Sequence, residues 1–103
     1  MKRTFDRELL LEILDNGIVN DGFVVYQTKV NKIYEHGRWL IKYTFVFWTS
    51  NDNKYWSTPY SIGATENQEQ GPWDNMAIVT AIQVEPYDVT ITKYKAVVDE
   101  KNS

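Results

Sequence analysis

The chain has 103 residues, no cysteine and a formal net charge of −3, a length that suits one domain spanning 1–103. Without cysteine, no disulfide framework, thiolate nucleophile or thiolate zinc site is open to it. The mild acidity is too weak for a bulk-charge mimic of DNA and has the wrong sign for general nucleic-acid affinity.

A chain this short buries only about 60–65% of its unfolded surface, so its core must be dense in large side chains. Aromatics make up 15% of the residues, and Trp39, Tyr43, Phe45, Phe47, Trp48, Tyr55, Trp56 and Tyr60 crowd one stretch. Each such ring buries on the order of 150–250 Å², which can build a core without cross-links.

The N-terminus starts basic, at Lys2 and Arg3, as a signal peptide does. Asp6, Glu8, Glu12 and Asp15 then interrupt any apolar run. No stretch approaches the roughly 20 residues of a membrane helix. The expectation is a soluble protein of a reducing cytoplasm with no membrane partner.

Phe5, Leu9, Leu10, Ile13 and Leu14 recur at helical spacing, which predicts a helix over about 5–15. Thr4 or Asp6 can cap its start, and Asn16-Gly17 supplies a stop. After the Asn20-Asp21-Gly22 turn, Val24, Tyr26, Val30 and Tyr34 alternate with Gln27, Lys29 and Asn31, predicting a half-buried strand over 23–35. Gly37 serves the following hairpin, where a positive φ is expected. A strand over 39–49 is apolar on both sides, with Trp39, Ile41, Tyr43, Phe45 and Phe47 facing one way and Leu40, Val46 and Trp48 the other. A third strand, 54–62, contains Pro59, which suits an edge or a bulge. Two more are predicted over 76–84 and 87–97, separated by Glu85-Pro86. The expected fold is α+β, an N-terminal helix followed by an antiparallel β-meander of four to five strands.

The residues that bear chemistry are sparse. His36, the lone histidine, sits in a hairpin turn without a second His or a Cys to share a metal, and reads as an exposed turn residue. Glu66, Glu69 and Asp74 resemble a paired-carboxylate set. However, Thr65-Glu66-Asn67-Gln68 also has capping-box spacing, which favours a structural role or a partner contact over catalysis. Lys29, Lys42 and Lys54 beside Trp48 or Trp56 offer a base-stacking face, against which stand the overall acidity and the wide spacing of the lysines. No phosphate loop occurs. The expectation is no enzyme activity, no cofactor and no metal.

One mismatch of dimensions is more informative. A helix of about 11 residues is roughly 16 Å long, whereas five strands at about 4.8 Å span roughly 24 Å. Leu40, Val46 and Trp48 therefore need another cover: a curled sheet, a second subunit or a binding partner.

The segment Tyr60-Ser61-Ile62-Gly63-Ala64-Thr65-Glu66-Asn67-Gln68, and the strand from Val84 through Pro86 to Tyr94, resemble small uncharacterised accessory proteins of bacteriophages and prophages. These share a Gly-Ala-Thr-Glu-x-Gln segment, and the resemblance covers the C-terminal half. It implies an accessory protein acting in the bacterial cytoplasm. The expected function is non-enzymatic: binding and inhibiting a host protein such as a defence or nucleic-acid enzyme, in the manner of anti-CRISPR or host-takeover proteins. The expected contact surface is Tyr60, Glu66, Glu69, Trp73 and Asp74, an aromatic anchor with acids suited to a basic groove. The alternatives are a nucleic-acid-binding module built on the basic aromatic strands and a structural homo-oligomer.

Overall fold

The computed structural model describes residues 1–64 and 70–98. Its elements are β1 (Lys2–Asp6), α1 (Arg7–Asn16), β2 (Ile18–Asp21), β3 (Val24–His36), β4 (Leu40–Thr49), β5 (Lys54–Gly63) and β6 (Ile78–Val84). The strands form one antiparallel sheet in the order β1-β6-β5-β4-β3-β2. This corrects the expected α+β meander of four to five strands. The architecture is all-β in character, six strands with a single ten-residue helix set between the first two.

The corrections have local causes. Residues 2–6 form a strand because Phe5 drops into the core and pairs with Val79, while Thr4 and Asp6 stay exposed. The helix therefore starts at Arg7, and the expected contribution of Phe5 to its apolar stripe is made from β1 instead. Gly17, at φ +76°, ends the helix and donates its N–H to Ile13 O at 2.8 Å, the glycine stop that Asn16-Gly17 predicts. The next residue, Ile18, is already in β2, which turns through Gly22 (φ +64°) into β3. Gly37 has no positive φ among the backbone exceptions; a Cβ there would meet Leu40 O at 3.0 Å, so close approach is what favours glycine. The predicted fifth strand, 87–97, is not a strand: residues 85–98 pair with no element and every one of them is exposed.

The connection between β1 and β2 determines the shape of the sheet. These two strands occupy opposite edges, yet only Arg7–Gly17 joins them. Ten helical residues reach about 15 Å, while six flat strands would put their outer edges about 24 Å apart. The sheet must roll up around α1, giving an open half-barrel. Bulges at Thr28/Val30 and Ile33/Glu35 in β3 add to the curl. The first of them also moves Val30 to the face opposite Tyr26, since Tyr26 pairs with Thr49 and Val30 with Val46.

The core lies inside that curl. Leu10 and Ile13 of α1 are fully buried against Phe45, Phe47, Trp56, Phe5 and Tyr26. Phe5 meets Phe47 and Trp56 edge-on, at 5.0 and 5.6 Å between ring centroids, a favoured aromatic geometry. The buried Trp56 indole donates to Thr49 Oγ1 at 3.3 Å, and the Thr49 hydroxyl donates to Asp52. Arg3 completes this corner by pairing with Asp52 at 3.5 Å while lying 4.8 Å over the Phe5 ring.

Candidate functional site

The five residues expected to form a contact surface divide in the structure. Glu66 and Glu69 lie outside the described residues. Trp73 is buried, 6% exposed, and packs on Phe45 and Tyr60 at 5.8 and 5.1 Å between centroids. Its indole donates to Pro59 O at 2.9 Å. Tyr60 points inward too, stacked on Tyr43 at 4.7 Å and donating to Asn31 Oδ1 at 2.6 Å. Asp74 accepts from Gly71 N at 3.3 Å and pairs with Arg7 at 3.6 Å. Arg7 in turn donates to Pro72 O, tying this loop to the start of α1. The structure thus brings Tyr60 and Trp73 together in the core, with Asp74 as a loop anchor beside them. A buried indole presents little to a partner.

Burial pushes the Tyr60 and Tyr26 phenols above their ordinary value of 10.0. As pH rises past that value the unfolded chain ionises first, so stability falls as the folded phenols are forced to follow. Urea unfolding between pH 10 and 11.5 should therefore show a declining midpoint, with a shallower decline in the Tyr26→Phe/Tyr60→Phe double variant. An unchanged slope would mean that other groups drive the alkaline loss.

The other face of the sheet is where apolar side chains meet solvent. Cross-strand register places Val30, Val46, Ser57 and Ile82 in one row, and Gln27, Trp48, Tyr55 and Val84 in the next. Val30, Val46, Tyr55 and Val84 line an open groove of about 520 Å³, whose walls are completed by Lys29 and by Glu85, Pro86 and Tyr87. Lys29 Nζ lies 6.0 Å from the Trp48 ring, and the Trp48 indole donates to Asn53 Oδ1 at 2.8 Å. The sequence pointed to Val46 and Trp48 as needing cover. It did not single out Val30, Tyr55 or Val84, although counting back from the Ser50–Asn53 turn places Tyr55 opposite Trp48.

Lys32 and Lys42 share this outer face, but Lys42 is held by Glu35 at 3.3 Å. His36 ends β3, exposed. Among the described residues, no group of three or more His, Asp or Glu side chains is placed to hold a metal ion. Nor is any described helix long and apolar enough to cross a membrane. No protein-family model matches the chain, and neither a curated protein nor a solved structure matches it.

Proposed function

We propose that the protein is a non-enzymatic phage accessory factor that binds and inhibits a host protein, a defence or nucleic-acid enzyme, in the bacterial cytoplasm. The observation that supports this reading is the groove over Val30, Val46, Tyr55 and Val84. It is apolar at its floor, with Lys29 and Glu85 in its walls. An apolar anchor flanked by hydrogen-bonding groups suits such a surface, since hot spots combine a desolvated pocket with a polar surround. The resemblance to phage accessory proteins supports the accessory role in a bacterial cytoplasm.

Affinity capture from bacterial lysate tests the reading, comparing wild type with Val46→Glu and Tyr55→Ala. The wild type should retrieve a host enzyme whose activity falls on addition of the protein. Both variants, checked for an unchanged near-ultraviolet circular dichroism spectrum, should retrieve at least tenfold less. Equal recovery by all three proteins would remove the groove from consideration.

Lys29 over Trp48, with Lys32 on the same face, favours one second reading, a single-strand-binding surface. Its affinity would fall steeply with added salt. Absence of binding to labelled oligonucleotides at low salt would eliminate it.

A further inference from the structure

We infer that residues 85–98 are an arm that each copy of the chain donates, as an added strand, to the open β3 edge of a second copy in a reciprocal two-fold dimer. The arm leaves the body after Val84 and stays exposed throughout, with Tyr87 at 82%, Ile91 at 69% and Tyr94 at 94% exposure. The molecule is 66 Å long and has a radius of gyration of 19.0 Å. A compact chain of this length has a radius near 13 Å.

The arm has the composition of a strand. Tyr87, Val89 and Ile91 alternate with Asp88, Thr90 and Thr92, a period-two pattern rich in β-branched residues. Among the described residues it forms no backbone hydrogen bond with the sheet. A sequence that patterns one apolar face and then exposes it calls for a partner that covers it.

The same chain offers a matching edge. β2 pairs with β3 only over Val24–Gln27, and Thr28 N is taken by Gly17 O. From Lys29 to His36, β3 has β4 on one side and no described strand on the other. That edge spans eight residues, the bulged Lys29 and Tyr34 among them, and Tyr87–Tyr94 also spans eight, whereas the β1 edge at the other end of the sheet has five. Ile33, half exposed on it, is a suitable neighbour for Val89 or Ile91. The β1 edge offers Lys2, Thr4 and Asp6 on its outer face. Lys29 and Tyr87 line one groove, so the arm already sets off beside the start of this edge. Bulges guard β3 against indiscriminate pairing, which suits a partner of one fixed sequence.

A second copy is the occupant because it brings both halves of the contact in equal number. Each arm finds one edge, each edge one arm, and the two-fold closes with nothing left over. In the structure the arm does not serve its own edge: residues 85–98 pair with no described strand and are all exposed.

Sedimentation equilibrium of the full chain should give a mass of twice 12.1 kDa. Val89→Lys/Ile91→Lys in the arm and, separately, Ile33→Lys in the edge should each raise the dissociation constant at least tenfold, with unchanged circular dichroism. Mixing the two variants should recover dimer in part, because one of the two contacts then joins an intact arm to an intact edge while the other carries both substitutions. The chain has no cysteine of its own, so Ile91→Cys on one copy and Ile33→Cys on another should cross-link between chains. A monomeric wild type, a dimer insensitive to these substitutions, a cross-link confined to one chain, or preferential cross-linking of Ile91→Cys to Thr4→Cys would each overturn the proposal.

Discussion

Replacing Trp73 with alanine is expected to lower stability by about 3–5 kcal/mol, enough to unfold much of a domain whose total is on the order of 5–15 kcal/mol. The indole is almost fully enclosed by Phe45 and Tyr60, and its N–H is committed to Pro59 O. Its removal leaves a cavity at the mouth of the half-barrel and a carbonyl without its donor. Trp73 also adopts φ +50°, a region costly for a bulky residue, so packing is what holds it there. Glycine relieves that cost, and Trp73→Gly should unfold at a urea concentration no lower than Trp73→Ala, against the usual ranking of the two residues. A loss below about 1 kcal/mol in both variants would place the indole outside the cooperative core.

The second large effect is expected at Leu10. Its side chain is fully buried where α1 packs into the curl of the sheet. Leu10→Ala should cost about 2–5 kcal/mol, whereas Leu9→Ala, at a half-buried neighbour on the same helix, should cost clearly less. The measurement is the midpoint of urea unfolding followed by tryptophan fluorescence. Similar small losses at both positions would show that the helix merely rests on the sheet. In the structure it is the bridge that draws the two edges together.

These two positions were not equally legible in the sequence. Leu10 and Ile13 follow helical spacing, and that pattern survives because one helix has one buried stripe. β3, β4 and β5 were equally plain, each long and bounded by polar turns. β1 and β2 were not, because five residues with one buried phenylalanine in β1, and only four residues in β2, carry no readable alternation. The strand expected over 87–97 has a true strand pattern, but pairing is decided by neighbours, and none of the strands of its own chain adjoins it. Trp73 looked like a surface anchor because it stands in a polar loop. That loop folds back over Tyr60 and Phe45, and a fold-back of this kind leaves no local mark. The outer-face groove was half legible: the two-sided apolar character of β4 announced it, while Tyr55, Val30 and Val84 join it only through cross-strand register and a bulge.

The placement of β1 governs the order in which the molecule can assemble. Among the described residues its only sheet neighbour is β6, so Phe5 must wait for Val79, far along the chain. The β3–β4–β5 hairpins can form from near contacts, whereas closing the loop between the first and last strands is slow. During synthesis β1 leaves the ribosome ahead of the rest of the sheet and stays unpaired until β6 emerges.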